Sequence, residues 1–213
     1  MHHYVSASPA VRAVVSIGIA NIERQVLVRV GIHLPRPDGV EPLGRKDEAQ
    51  AFRWQCFERA LNSTHLRAYL KRLPDFADVE AEERAMSYAL KFPSVHQALA
   101  FLVSWPALDK AAGLVFERSG ELDGDHYEIL SPAADALAAK HPLAATLLLR
   151  AMIDFALREN RVKRYRHAAR HLAECASLAA AIGDFGGFEP HERYSTRLKA
   201  AHGRKTSFWT LIS

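Results

Sequence analysis

The stretch "RKDEAQAFRWQCFERAL", residues 45–61, decides the fold class. Its apolar side chains recur every three or four positions, at Ala49, Phe52, Cys56 and Ala60. An α-helix has about 3.6 residues per turn, so this spacing puts them on one face of an amphipathic helix. Stripes of the same kind begin at Val95, Leu108, Leu143 and Tyr165. The sequence therefore predicts an all-α protein.

Prolines and helix spacing predict the architecture. A proline in the first turn of a helix loses no hydrogen bond, so Pro132 and Pro142 are predicted helix starts. Such patterns indicate about nine or ten helices of about 9 to 20 residues, and no strand after Arg45. Helix starts recur about every 30 residues, as in stacked antiparallel helical hairpins of the tetratricopeptide-like (TPR-like) type. A compact helical bundle is the alternative, because no strict sequence repeat accompanies this spacing.

The first 42 residues have a different pattern. "VLVRVGI", residues 26–32, alternates like a strand, and "HLPRPDGVEP", residues 33–42, is typical of a loop. A strand without a partner leaves its backbone groups unpaired. We therefore expect residues 1–42 to be a poorly structured or non-native segment, from a displaced start or a frameshift, and residues 43–213 to form the helical domain.

Composition limits the class of protein. Of the 213 residues 49% are hydrophobic and 24% are charged, which is typical of globular proteins. Cys56 and Cys175 both lie in helical patterns, where buried free thiols are expected, and this favours a cytoplasmic location. The apolar run "AVVSIGIA", residues 13–20, is too short to span a membrane.

Positive charge is concentrated in the last third of the chain. Residues 151–213 contain 11 Lys and Arg against 6 Asp and Glu, although the net charge of the whole chain is only +4. Clustered cations attract anionic partners. The candidate contact residues for such a partner are Lys163, Arg164, Arg170, Arg204 and Lys205.

The pentapeptide "HAARH", residues 167–171, resembles half of a metal site. His167 and His171 share a helix face, and Glu174 could supply a third ligand. The glutamate that acts as general base in H-E-x-x-H proteases is replaced by Ala168, and neighbouring cations oppose a divalent ion. We expect a surface position for both histidines and no bound metal.

Other motifs do not indicate catalysis. "LDGDHYE", residues 122–128, has too few oxygen ligands for a calcium loop and predicts a turn. The sequence contains no G-x-S-x-G, C-x-x-C or G-x-G-x-x-G pattern. An enzyme is therefore not favoured, and no cofactor is expected.

Six stretches carry a family resemblance: "LGRKDEAQAFRWQCFERAL", "LRAYLKRLPDFADVEAEERA", "LDGDHYEIL", "KHPLAATLLLRAMIDFAL", "RYRHAARHL" and "HGRKTSFW". From Leu43 to its C-terminus the chain resembles the C-terminal part of an uncharacterised bacterial family, a domain of unknown function with TPR-like helical character. The resemblance implies no activity, and it implies further helices ahead of this region in longer relatives. The last two stretches are distantly similar to the helical tail of SWIM zinc-finger proteins, although the finger's own ligands are absent.

Two functions from different classes follow. Stacked amphipathic helices without a catalytic constellation favour a scaffold that binds a protein partner. The basic last third favours a nucleic-acid-associated protein instead. We also expect the first helix of the domain to expose Phe52, Trp54 or Phe57 to water and so to promote self-association.

Overall fold

The computed structural model describes residues 46–212 and is all-helical over that range. It contains ten α-helices, two short 3-10 helices at Ser119–Glu121 and Val162–Arg164, and no strand in the part described. The α-helices are α1 Lys46–Ala60, α2 Ser63–Leu70, α3 Ala77–Leu90, α4 Val95–Ser104, α5 Leu108–Glu117, α6 Tyr127–Leu137, α7 Pro142–Arg158, α8 Tyr165–Ala179, α9 His191–His202 and α10 Thr206–Trp209. The prediction of an all-α protein with about ten helices is confirmed.

Over the described residues the chain divides into two compact units, with the division between Lys110 and Ala111. The division falls within α5. The predicted boundary after residue 42 and the alternating segment 26–32 lie outside the described residues, so that boundary stays a prediction.

The first unit is organised around an aromatic cluster. Phe57 of α1 is completely buried, and its ring centroid lies 5.3 Å from Trp54, 6.0 Å from Tyr88 and 5.5 Å from Phe101. Trp54 and Phe52 are half-buried. The expectation that α1 presents these aromatic residues to water is therefore wrong for Phe57, because α3 and α4 supply rings that cover it.

Short links make consecutive helices of the first unit antiparallel. Gln50, near the start of α1, donates from Nε2 to the carbonyl oxygen of Tyr69 at the end of α2, at 3.1 Å. Trp105, just after α4, donates from Nε1 to Oε1 of Glu82 near the start of α3, at 2.7 Å. These two contacts join opposite ends of neighbouring helices, as helical hairpins require.

Helices α7 and α8 form the antiparallel centre of the second unit. The Cys175 thiol near the end of α8 lies 3.9 Å from the carbonyl oxygen of Thr146, near the start of α7. Both cysteines are free and buried. Pro142 begins α7 as predicted, whereas Pro132 lies inside α6, so the predicted start at Pro132 is wrong. Helix α6 begins instead after the turn that precedes Tyr127.

None of the helices in the described range is both long and apolar enough to cross a membrane.

Candidate binding cleft in the second unit

A cleft of about 340 Å³ opens in the second unit between α6, α7, α8 and the 3-10 helix before α8. Three cations line it, namely Lys163, Arg164 and Arg170. Its less polar wall includes Tyr127 and Met152. None of the described residues that line the cleft is an Asp or a Glu, although Asp125, just outside the lining, pairs with Arg164.

Arg164 is held in place from three sides. Its Nη2 lies 2.8 Å from Oδ1 of Asp125, and its Cζ lies 4.6 Å from the ring centroid of Tyr127 and 5.4 Å from that of Phe155. Its Nη1 is buried and has no hydrogen-bond partner among the described residues. A guanidinium fixed by an ion pair and two rings thus keeps one orientation at the wall of the cleft.

Gly124 sets the position of the loop that carries Asp125. A Cβ atom at residue 124 would lie 2.1 Å from the carbonyl oxygen of Ala151 and 2.6 Å from Cβ of Phe155. Only glycine allows the loop to approach α7 this closely. The predicted turn is present here, since the backbone N–H of Asp125 donates to Oδ1 of Asp123 at 2.9 Å.

His171 lies inside the cleft and not on the surface. Its exposed fraction is 6%, whereas His167 is exposed. Burial, reinforced by Arg170 and His167, lowers the pKa of His171 to about 4. The expected surface position is therefore wrong for His171, because α8 turns this part of its polar face toward the cleft. The ring is neutral at pH 7 and offers one donor and one acceptor.

Glu174, the third residue of the candidate metal site, is too far from His171 for a direct hydrogen bond. Oε2 of Glu174 lies 3.8 Å from Nδ1 of His171. Burial and the nearby Asp135 raise the pKa of Glu174, although Arg170 opposes this. Within residues 46–212 no group of three or more His, Cys, Asp or Glu side chains is placed to hold a metal ion. The expected absence of a metal in solution stays a prediction.

The five candidate contact residues do not all line the cleft. Lys163, Arg164 and Arg170 meet in the cleft, but Arg204 and Lys205 are not among its lining residues. Lys205 instead donates from Nζ to Oδ1 of Asn160, and Arg204 is exposed between α9 and α10.

Sequence reasoning missed several residues of this unit. Tyr127 and Gly124 belong to a stretch that predicted only a turn, and nothing in its spacing pointed to a cleft. Arg150 and Asp154 were also missed, although a pattern could have revealed them. They interrupt the otherwise apolar stretch "LAATLLLRAMIDFAL", residues 143–157, and charges inside a buried stripe are costly unless they serve a purpose.

The fold and the cleft together define an all-α protein of paired helices with a cationic depression in its second unit. The chain belongs to the Family of unknown function (DUF6880), whose model matches residues 9–211. That match begins well ahead of Leu43 and includes most of the segment that the sequence analysis set apart. Neither the curated proteins nor the solved structures include one that matches the chain. No similarity to SWIM zinc-finger proteins is found.

Proposed function

We propose that this protein is a helical scaffold that binds an acidic segment of a partner protein in the cleft of its second unit. One observation carries the proposal: three cations converge on a cleft that has no carboxylate among its described lining residues. A surface cation usually finds a carboxylate neighbour or open solvent. Arg164 has such a neighbour in Asp125, but Lys163 and Arg170 form no ion pair in the described part of the chain, and their position beside a partly apolar depression favours an anionic occupant.

The shape of the cleft favours a protein segment. Its volume of about 340 Å³ suits one or two side chains. Tyr127 and Met152 offer apolar contact beside the cations, so a glutamate or aspartate next to an apolar residue would satisfy both parts. Arg164 contacts two rings, so its positive charge keeps a fixed position beside the bound carboxylate.

The nucleic-acid alternative has one observation in its favour. Tyr127 is 52% exposed and lies beside Arg164, so it could stack on an unpaired base. Binding to a phosphate backbone requires a track of cations, however, and neither Arg204 nor Lys205 is among the residues that line the cleft. We therefore favour an acidic protein segment over nucleic acid as the ligand of the cleft, and a direct comparison of the two ligands tests this choice.

The finer assignments belong to the same proposal. Antiparallel helix pairs with starts about 30 residues apart support a TPR-like scaffold. The family resemblance of the sequence supports a bacterial source. Two buried free cysteines support a reducing compartment such as the cytoplasm.

The test compares two ligands on the full-length protein by fluorescence anisotropy. One ligand is a labelled peptide of alternating glutamate and leucine, and the other is a labelled single-stranded oligonucleotide. The double variant K163E/R170E reverses two cations of the cleft and leaves the pair between Arg164 and Asp125 intact. We expect it to weaken peptide binding by at least about tenfold.

The matched control is R193E/K199E. Arg193 and Lys199 are exposed on α9, outside the cleft, and their reversal changes the net charge by the same amount. Equal losses in both double variants would show that net charge alone attracts the peptide, and the proposal would fail. Salt-sensitive binding of the oligonucleotide without binding of the peptide would favour the nucleic-acid alternative.

A further inference from the structure

Arg150 is a buried cation without a carboxylate partner. It lies in α7, its exposed fraction is 6%, and it lines a second cavity of about 300 Å³ in the same unit. Its Nη1 donates to the carbonyl oxygen of Glu189 at 2.6 Å. Its Nε and Nη2 are also buried and lack an oxygen acceptor in the described part of the chain, and the only acidic side chain that interacts with the guanidinium as a hydrogen-bond partner there is the Cys175 thiol. Buried guanidinium groups normally use all such donors, so two that lack an oxygen acceptor require an explanation.

The two carboxylates of this cavity are already engaged elsewhere. Oδ1 of Asp154 accepts a hydrogen bond from the hydroxyl of Tyr194 at 3.0 Å, and its Oδ2 lies 3.9 Å from Nη2 of Arg197. Oε2 of Glu189 accepts a hydrogen bond from Nε of Arg197 at 3.0 Å. Within the described residues no carboxylate forms an ion pair with the Arg150 guanidinium, although Asp154 is near enough for Arg150 to lower its pKa.

The other acidic groups beside Arg150 are neutral. Burial raises the pKa of the Cys175 thiol to about 12, even though Arg150 opposes the shift. Burial and the nearby Asp154 also raise the pKa of Tyr194. The Tyr194 ring, 4.4 Å from Cζ of Arg150, attracts the cation but does not neutralise it. Neither a thiolate nor a phenolate can therefore serve as counter-ion at neutral pH.

We propose that this second cavity binds the oxyanion group of a small molecule, a carboxylate or a phosphate, with Arg150 as its principal ligand. The planar guanidinium presents paired donors in the geometry that such groups accept. Arg158 and Arg197 also line the cavity and are more exposed, so they stand where an anion would enter. Phe188 supplies an apolar wall for the rest of the molecule.

This site is separate from the proposed function. The cavity shares no cation with the cleft that holds Lys163 and Arg170. The variant K163E/R170E should therefore bind small anions at the second cavity as the unchanged protein does. Peptide binding that is retained in that variant would overturn only the proposed function, whereas absence of anion binding to the unchanged protein would overturn only the present inference.

The experiment is isothermal titration of the full-length protein with inorganic phosphate and, separately, with succinate at constant ionic strength. We expect saturable binding of at least one of the two. R150K retains the charge but loses the planar fork, and it should weaken that binding by at least about tenfold. R197Q provides a second measurement if R150K does not fold, and it should weaken binding by about threefold or more.

The two ligands identify the chemistry of the site. Binding of phosphate alone assigns a phosphate site, binding of succinate alone assigns a carboxylate site, and binding of both assigns a general oxyanion site. If neither phosphate nor succinate binds saturably, the inference is overturned. Binding that is unchanged in a folded R150K also overturns it, because the anion would then lie elsewhere. If R150K does not fold, unchanged binding in R197Q has the same consequence.

Discussion

The substitution G124A tests the close packing of the loop that carries Asp125. In the structure a Cβ at this position would lie 2.1 Å from the carbonyl oxygen of Ala151 and 2.6 Å from Cβ of Phe155. Carbon and oxygen atoms that are not bonded rarely approach closer than about 3.2 Å, so the loop must move by about 1 Å. Overpacking of this kind costs about 1–3 kcal/mol.

The same displacement should affect the cleft. Asp125 follows Gly124 directly, and its ion pair with Arg164 at 2.8 Å would be stretched. Both partners are partly exposed, so loss of this pair adds at most about 1 kcal/mol. We therefore expect G124A to lower the free energy of unfolding by about 1–4 kcal/mol, measured by urea denaturation with circular dichroism.

A matched control is available in α5. Gly113 has no neighbouring atom within 4 Å of an added Cβ, and it lies inside a helix. G113A should stabilise the protein by about 0.5–1 kcal/mol, because alanine favours the helix and restricts the unfolded chain. If G124A unfolds within about 0.5 kcal/mol of the unchanged protein, the close approach of the loop to α7 is wrong.

Three further predictions follow from the second unit and the cysteines. The pKa of His171 is about 4 in the folded protein against an ordinary 6.5, so the unfolded chain takes up this proton first as the pH falls. Stability should therefore drop by about 1–3 kcal/mol between pH 6.5 and 4, and H171Q should show a smaller drop; equal drops would refute the assignment. Cys56 and Cys175 are buried with raised pKa values, so a thiol reagent such as DTNB should label the native protein much more slowly than the urea-unfolded chain. Fast labelling of both in the native state would contradict their burial. Elemental analysis of protein purified without a histidine tag should find no stoichiometric metal, whereas about one zinc per chain, lost when His167 and His171 are changed to alanine, would show that the prediction is wrong.

Helix positions were predictable because the apolar residues of each helix recur at helical spacing within that helix alone. The predicted stripe belongs to α1, and its members Ala49, Cys56 and Ala60 are buried, whereas Phe52 is half-buried and the unpredicted Arg53 and Phe57 complete the buried face. Pro132 misled the prediction because proline marks a helix start only by preference. Six residues into α6 the cost of the missing backbone donor is offset by the burial of neighbouring apolar residues such as Ile129 and Ala133.

The cleft was predictable only in part, because a single helix does not reveal what faces it. His171 lies on the polar side of α8 by helical spacing, yet it is buried because α6 and α7 complete a cleft there. Lys163, Arg164 and Arg170 were found from charge clustering alone. Arg204 and Lys205 do not line the cleft because of the path of the chain after α8, which local periodicity does not determine.

Gly124 lines both cavities of the second unit, and this has a thermodynamic consequence. One short loop forms part of the wall of each cavity, so a ligand that shifts the loop in one cavity changes the shape of the other. Linkage requires any such effect to be reciprocal: each ligand must alter the affinity of the other by the same factor. A side chain at position 124 would displace the walls of both cavities at once, so a glycine at this position is required by both proposed binding sites.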